Sequence, residues 1–348
     1  MNRNKKQTVS HLSAHRGRAP STVEREDADF SVAGGVSRPS YLLLLPNSEL
    51  VIADESAEAH GLIVTNAIRG GAITRRLAGP AQLASPTGLA LRATEDDTLE
   101  VIAGEQGRGR LARISAGGAV IGREESALAR SPLDVIVAAG RLFVSDVCFE
   151  KIGTRETAEC IGRIVIYNAR TLKHVHTIDS SSLPGAGARF HPHGLAALPG
   201  PGNKSGRLYV ADADSGCLWV FSFRGELLER IGTMGTGPLQ FVHPRGLLMW
   251  PTAVEDAPLA RAGGGELPPS QVRGRYLVVA ERARVQVLLL PSKGGGEAVR
   301  SVQILDFEPG SNLLGLCALN SERILIADVG KDRIAALRVV RAMALTVE

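Results

Sequence analysis

The chain has 348 residues, of which 44% are hydrophobic and 22% charged, with 39 glycines and 18 prolines; this is typical of a globular protein rich in turns and excludes a disordered or fibrous one. No apolar run approaches the ~18 residues that a membrane-spanning helix requires, so we expect a soluble protein that does not enter a membrane. Basic residues crowd into the first 18 positions and account for the formal charge of +4. The rest of the chain is close to neutral, which gives little support to nucleic-acid binding.

The N-terminal segment is polar and basic. We expect residues 1–28 to form a disordered basic tail and residues 29–348 to form one folded domain. The tail has no apolar block of the kind found in secretory signal peptides, and an organellar transit peptide is the only targeting alternative that it leaves open. We therefore expect an intracellular, cytoplasmic protein.

A short pattern recurs along the chain, in which a β-branched run ends in a small residue and an acid. The six copies lie at 50–54, 101–105, 142–146, 208–212, 277–281 and 325–328. Each copy is followed by a polar turn and a second apolar run, which predicts a hairpin. A four-residue motif, which we call the phrase, precedes each copy. It contains a branched aliphatic residue and usually begins with proline, and it lies at 39–42, 86–89, 132–135, 192–195, 244–247 and 313–316.

A third apolar run follows most of these hairpins, which gives four short strands per repeat. Six such repeats with almost no helical periodicity predict an all-β fold, a six-bladed β-propeller of four-stranded antiparallel blades. The ring must also close. Residues 30–35 stand before the first repeat and have the pattern of an outer strand, so we expect this N-terminal strand to complete the sixth blade.

The acids that end the repeated pattern are predicted to have structural roles, because six equivalent positions cannot all belong to one active site. A carboxylate at the end of a strand can accept hydrogen bonds from backbone N–H groups of the neighbouring turn. The aspartates expected to do this are Asp54, Asp146, Asp212 and Asp328.

The fourth repeat resembles a known family. Residues 208–221 and 231–247 are similar to a near-consensus NHL repeat. The resemblance implies a six-bladed propeller that acts as a binding platform, with its ligands on the face that carries the loops entering the innermost strands. Since the shared positions of the repeat are architectural, we expect function where the repeat varies.

The residue after each proline is variable and should ring the mouth of the central channel. These candidate binding residues are Ser40, Thr87, Leu133 with its neighbour Asp134, His193, Arg245 and Leu314. Arg245 offers a planar bidentate donor, which suits a small anion or a peptide carboxylate. The alternative is that Arg245 pairs with a nearby acid such as Asp134.

His193 is the only candidate metal ligand. Its phrase, Pro-His-Gly-Leu at 192–195, resembles a zinc-bearing blade of the peptidyl-hydroxyglycine amidating lyases, whose zinc takes one histidine from each of three such phrases. Here the other phrases lack histidine at that position. A calcium site like that of the gluconolactonase-like propellers would need several carboxylates, and only Asp134 is placed for it. We expect no cofactor, with zinc or calcium as the alternatives.

The hairpin of the third repeat has a long insertion at 147–162, on the same face as the channel mouth. Long loops on rigid scaffolds often carry recognition, and the candidate contact residues here are Glu150, Lys151, Arg155 and Glu156. Cys148 and Cys160 flank the loop and could face each other across it in an oxidising compartment. Two further insertions lie at 199–206 and 251–274.

Together these features favour a monomeric, noncatalytic binding or scaffold module for a protein or peptide partner. The first alternative is a metal-dependent hydrolase or lyase with its site at the channel mouth. The second is RNA binding, for which two arginines at the hairpin tip 107–110 are the best feature. Aromatic residues make up only 4% of the chain, which weakens the RNA alternative because single strands stack on aromatic side chains.

Overall fold

A computed structural model describes residues 22–26, 30–33, 35–56, 61–67, 70–79, 81–115, 117–124, 129–151, 158–184, 190–200, 205–250, 275–291, 298–320 and 322–340. The first two strands are β1 (Thr22–Arg25) and β2 (Val32–Ala33). The next eight are β3 (Pro39–Leu44), β4 (Glu49–Asp54), β5 (Gly61–Asn66), β6 (Gly71–Ala78), β7 (Pro86–Ala93), β8 (Leu99–Glu105), β9 (Arg110–Ser115) and β10 (Val120–Glu124).

The central part of the chain adds β11 (Pro132–Ala138), β12 (Arg141–Lys151), β13 (Ala158–Asn168), β14 (His174–Asp179), β15 (Pro192–Pro199), β16 (Gly206–Asp212), β17 (Cys217–Ser222) and β18 (Leu227–Ile231). The last strands are β19 (Thr233–Met234), β20 (Gln240–Phe241), β21 (Gly246–Trp250), β22 (Arg275–Ala280), β23 (Arg284–Leu290), β24 (Arg300–Asp306), β25 (Leu313–Ala318), β26 (Arg323–Asp328) and β27 (Arg333–Val340). Two single 3₁₀ turns lie at Gln106–Arg108 and Ser180–Ser182. No helix in the described segments is long and apolar enough to cross a bilayer.

The strands form six antiparallel blades, and this confirms the predicted six-bladed β-propeller. From the axis outward, the blades are β3 to β6, β7 to β10, β11 to β14, β15 to β18, β21 to β24, and β25 to β27 with β1. We number them blades 1 to 6 in that order. The innermost strands β3, β7, β11, β15, β21 and β25 contact one another in sequence around a closed ring.

The core lies between the blades. Six clusters of buried side chains fill the six interfaces between neighbouring blades. The second strand of a blade is covered on both faces, so β4 is buried along almost its whole length and reads as an unbroken apolar run rather than an alternating one. The outer strand β6 alternates between partly buried and exposed residues, as expected for a strand that packs on one face only.

Ring closure differs in detail from the prediction. The outer strand of blade 6 is β1, which pairs with β27 from Thr22 opposite Val340 to Arg25 opposite Leu337. The predicted residues 30–35 instead contribute β2, which adds to blade 1 as a short parallel strand beside β6. The closing strand is N-terminal, as expected, but its predicted position was wrong, and residues 22–26 of the predicted tail belong to the blade.

The structural role predicted for the repeated acids is confirmed. Asp146 Oδ1 accepts hydrogen bonds from the backbone N–H groups of Arg130, at 2.8 Å, and Ser131, at 2.6 Å. Asp54, Asp212 and Asp328 accept equivalent bonds from Ser37, His191 and Asn312. Each carboxylate thereby fixes the loop that enters the innermost strand of its own blade, which sets the position of the channel-mouth residues.

Candidate functional site at the channel mouth

The candidate site lies on the face where the innermost strands begin, which we call the entry face. Pro39, Pro86, Pro132 and Pro192 open their strands here. The second strand of each blade runs antiparallel to the first, so the repeated acids reach the same face; Pro39 is opposite Asp54. Residues from all six blades therefore converge around one end of the channel.

The third residue of the phrase decides which side chains reach the axis. Four blades have glycine there, and a Cβ on any of them would approach the backbone of the next blade within 3 Å: Gly88, Gly194, Gly246 and Gly315. The innermost strands of these blades are thus in backbone contact with the next. Blades 1 and 3 have Tyr41 and Asp134 instead, and these two side chains occupy the mouth.

Ser40 and Thr87 are buried, and their hydroxyls join neighbouring blades. The Ser40 hydroxyl donates to the carbonyl oxygen of Pro86 at 3.2 Å, and the Thr87 hydroxyl donates to that of Pro132 at 2.8 Å. Both hydroxyls are therefore used within the ring, although both had been selected as binding groups. Leu133 and Leu314 are buried as well.

Asp134 is held between blades 3 and 4. Its Oδ1 accepts from the N–H of Val135 and its Oδ2 from the N–H of Leu195, each at 2.8 Å. The backbone N–H of Asp134 donates to the hydroxyl of Ser145, which in turn donates to the carbonyl oxygen of His193 at 2.5 Å. Burial raises the pKa of Asp134 to about 7, although the two N–H donors act in the opposite direction.

His193 crosses the channel. Its Nδ1 lies 3.4 Å from the hydroxyl oxygen of Tyr41, and since these residues come from blades 4 and 1, opposite blades meet near the axis. The imidazole also stacks with His191, the ring centroids being 6.2 Å apart. Burial, with a smaller effect of Arg245, holds the pKa of His193 well below its usual value. The ring is therefore neutral at physiological pH.

Arg245 is the cation of the mouth. Its Nη1 donates to Oδ1 of Asn312 at 2.8 Å, so the suggested pair with Asp134 is not formed. Its Nε is buried and has no hydrogen-bond partner among the described residues. Burial, followed by the charge of Arg282, lowers the pKa of Arg245. The guanidinium remains charged, because even a substantial shift leaves arginine protonated near neutral pH.

Asn312 and Tyr41 were not selected from the sequence, although the repeat held a signal for both. Asn312 directly precedes the phrase of blade 6, where blades 4 and 5 have histidine. Its backbone N–H donates to Asp328 at 2.8 Å, which fixes its position. Tyr41 replaces the glycine of four other phrases, so a search for exceptions at that position would have found it.

The long hairpin of blade 3 projects from the entry face, as predicted. Strands β12 and β13 continue past the pair Asp146 and Arg163 to Lys151 opposite Ala158. Glu150 and Lys151 belong to β12, whereas Arg155 and Glu156 lie outside the described residues, as does the insertion at 251–274.

The disulfide between Cys148 and Cys160 that the sequence left open is not formed, because the Cys148 thiol is free. Cys148 stands opposite Ile161, and Cys160 stands opposite Phe149. The two cysteines are therefore offset by one residue and are not paired across the two strands.

Within the described part of the chain, no three histidine, cysteine, aspartate or glutamate side chains are grouped so that they could hold a metal ion. His193 has His191 beside it, and no third histidine of the described residues joins them. The mouth combines a charged guanidinium, a neutral imidazole, a phenol and a carboxyl group whose pKa is near neutrality.

No protein-family model matches the chain, and no curated protein matches its sequence. Solved structures do match. They include virginiamycin B lyase from Staphylococcus aureus with quinupristin (12% identity over 92% of this chain and 100% of that chain, TM-score 0.51) and an auxiliary nutrient binding protein from Bacteroides thetaiotaomicron (12%, 88% and 70%, 0.54). A third is the Cps50 (Swd1) β-propeller domain from Myceliophteria thermophila (10%, 92% and 100%, 0.50). At such low identity the comparisons establish the fold, and the chain is a β-propeller.

Proposed function

We propose that the protein is a noncatalytic binding module of the NHL type, which holds a peptide or protein partner on its entry face by a carboxylate of that partner. The observation that carries the proposal is Arg245, a half-buried cation at the channel mouth with no carboxylate of a described residue within ion-pair distance. Among the described residues, its guanidinium donates to the neutral amide of Asn312.

The charge balance of the mouth favours an anionic ligand. A guanidinium removed from water costs free energy unless an opposite charge compensates it. The imidazole of His193 is neutral at pH 7, and burial raises the pKa values of Asp134, to about 7, and of Glu55. The nearby acids are thus weakened as partners for Arg245, and a ligand carboxylate would supply the missing charge through bidentate hydrogen bonds.

The hydrogen bonds of the polar residues at the channel mouth favour binding rather than catalysis. Ser40 and Thr87 donate their hydroxyl protons within the ring, and Asp134 is held by two backbone N–H donors. General acid–base chemistry needs a group with free access to the substrate proton. A half-buried guanidinium without a carboxylate partner among the described residues suits recognition, and the long hairpin of blade 3 would extend the contact surface on the same face.

The test is a titration of short peptides of varied C-terminal sequence, each made with a free C-terminal carboxylate and as the C-terminal amide. We expect the free acids to bind more tightly, and Arg245→Gln to weaken their binding by about 10- to 100-fold, as for the loss of a charge-assisted hydrogen-bonded pair of ~1.5–3 kcal/mol. Arg224→Gln, an exposed arginine in the turn between β17 and β18, is the control and should bind as the natural protein does.

Equal binding of acids and amides, or unchanged binding by Arg245→Gln, would contradict the proposal. Elemental analysis of the purified protein and of His193→Ala separates the alternative. Stoichiometric zinc or calcium that disappears in the variant would replace the proposal by a metal-dependent lyase or hydrolase at the same mouth.

A further inference from the structure

The blades can be compared with one another at the acid that ends the second strand. In four blades an arginine of the third strand neutralises that acid. The pairs are Arg110 with Glu105 at 2.6 Å, Arg163 with Asp146 at 2.7 Å, Arg284 with Glu281 at 2.8 Å and Arg333 with Asp328 at 3.0 Å. Each of these carboxylates is buried, so the arginine compensates a charge that water does not reach.

In blade 4 the buried acid Asp212 has a tryptophan instead of an arginine as its side-chain partner. Cys217 stands at the start of its third strand, and Oδ2 of Asp212 accepts a hydrogen bond from the indole Nε1 of Trp219 at 3.0 Å. The guanidinium carbon of Arg230 lies 5.3 Å above the centre of the Trp219 ring, which places a positive charge close by.

Blade 1 has no such partner among the described residues. Asp54 is 1% exposed and accepts only the backbone N–H groups of Ser37, at 3.1 Å, and Ser56, at 2.9 Å. Gly61 occupies the arginine position opposite Asp54. No side chain fits there, because a Cβ on Gly61 would lie 2.2 Å from the carbonyl oxygen of Ala78. Each carboxylate oxygen has a second lone pair that no described group uses.

A cavity of about 230 Å³ borders the buried Asp54. Asp54, Gly61 and Ile63 share one face of blade 1, the face that packs towards blade 6, and Asp54 and Ile63 line the cavity. Ile73 adds an apolar wall, and Asp332 of blade 6, which is exposed, adds a second carboxylate at the rim. Water fills such a space readily, and so would a cation with an aliphatic stem.

We propose that this cavity between blades 6 and 1 binds a guanidinium group on an aliphatic chain, such as an arginine side chain, which takes the place that arginine has in four other blades. Asp54 would accept hydrogen bonds from the guanidinium, Asp332 would add long-range attraction, and Ile63 and Ile73 would cover the methylene groups. Arg76 also borders the cavity and has an interaction of its own. As a like charge, it should weaken the affinity rather than abolish it.

The proposal concerns a different pocket from the channel mouth, so the two are tested separately. The probes are agmatine and N-acetyl-arginine amide, which have no carboxylate that Arg245 could bind, and N-acetyl-citrulline amide, which has the same shape without the charge. Binding is followed by calorimetry on the full chain. Arg245→Gln should bind the guanidinium probes as the natural protein does, whatever the outcome at the mouth.

We expect saturable binding of the two guanidinium probes and at least tenfold weaker binding of the citrulline probe. Asp332→Asn should weaken guanidinium binding about two- to fivefold, because this residue lies at the solvent-exposed rim, where screening is strong. Asp332 has a positive φ of 52°, which asparagine adopts readily, so this variant leaves the fold intact. Arg76→Gln should strengthen binding.

Ile73→Arg supplies an internal guanidinium to the cavity and should abolish binding of the probes, whereas Ile73→Met, which fills similar space without charge, should retain it. Asp146→Asn is the control for the buried acid, because Asp146 has the same structural role but already pairs with Arg163. It should lower stability without changing probe binding. Asp54→Asn should remove binding.

Two sources of the guanidinium are distinguished by a third probe, a decapeptide with one central arginine and its citrulline counterpart. Tighter binding of the peptide than of agmatine indicates the arginine of a protein partner. Tighter binding of agmatine indicates a free metabolite. Equal binding of the citrulline and arginine probes, or binding that Asp332→Asn and Ile73→Arg both leave unchanged, would overturn the proposal.

Discussion

At the scale of single residues, the mouth is built from exceptions to a repeat. Glycine stands at the third position of four phrases because a neighbouring backbone leaves no room for a Cβ. Tyr41 and Asp134 break that rule, and each is buried among groups that alter its titration. Desolvation favours the uncharged form of an acid, and this is the main cause for both residues.

The titration of Asp134 should be visible in the stability of the protein. Its pKa is raised to about 7 in the folded chain, so between pH 4 and 7 the folded state binds more protons than the unfolded state, and stability falls as pH rises through that window. The integrated effect is on the order of 4 kcal/mol. Urea unfolding at pH 4 to 8 should show this loss in the natural protein, and Asp134→Asn should lack it.

A pH dependence that is the same in the natural protein and in Asp134→Asn would contradict this assignment. The comparison between the two proteins is needed because other carboxylates act in the opposite direction. Burial acts to raise the pKa of Glu100, but hydrogen bonds from Arg113 and Arg92 outweigh it and lower that pKa. Hydrogen bonds also lower the pKa of Glu308 to about 2. The stability that such carboxylates contribute is lost as pH falls.

At the scale of strands and hairpins, a buried charged side chain links two neighbouring blades. Arg92 of β7 is 2% exposed and binds Glu100 of β8 at 2.7 Å. Its Nη1 also donates to the carbonyl oxygens of Ala169 and Arg170, both at 2.8 Å. A single side chain thereby fixes the turn between β13 and β14 of blade 3 to the neighbouring blade.

Removal of this side chain should be costly. Arg92→Ala leaves Glu100 with one partner fewer and two carbonyl groups without a donor, and the loss of one partner of a buried ion pair costs ~3–5 kcal/mol. Chemical denaturation should give a value in this range. Arg113→Ala is the matched variant, since Arg113 also binds Glu100, at 2.8 Å, but is 29% exposed; its cost should be about 1 kcal/mol, as for surface pairs. Equal losses would show that burial does not govern the effect.

At the scale of the whole molecule, the number of blades followed from the sequence, whereas ring closure did not. Second strands such as β4 are covered on both faces, so their apolar runs are conspicuous. The closing strand β1 has the sequence Thr-Val-Glu-Arg, with little apolar character, and ion pairs hold the segment: Arg323 with Glu26 at 2.6 Å and Arg25 with Glu308 at 2.6 Å. Partners so distant in sequence leave no local pattern.

The same reason limits the prediction of the site. Arg245 and His193 were found because they vary within a fixed phrase. The contacts of His193 with Tyr41, and of Arg245 with Asn312, depend on blades that meet only when the ring is closed. The inward hydroxyl bonds of Ser40 and Thr87 likewise follow from the packing of one phrase on the next.

Removal of the closing strand should destabilise the ring. Deletion of residues 1–26 removes the four-residue ladder between β1 and β27, in which each hydrogen bond contributes ~0.5–1.5 kcal/mol, and it exposes the edge of β27 to other chains. We expect a loss of several kcal/mol in the free energy of unfolding, measured by denaturation, and aggregation measured by light scattering. Glu24→Gln, which affects only an exposed pair with Arg338 at 3.5 Å, should change neither. An unaltered truncated protein would contradict the role of β1.

The contact between Tyr41 and His193 has one more consequence. Because these side chains come from opposite blades and approach to 3.4 Å, they bridge the central channel at this depth. The contact narrows the axial passage at the entry face. A partner held at the entry face would therefore leave the far face of the propeller exposed.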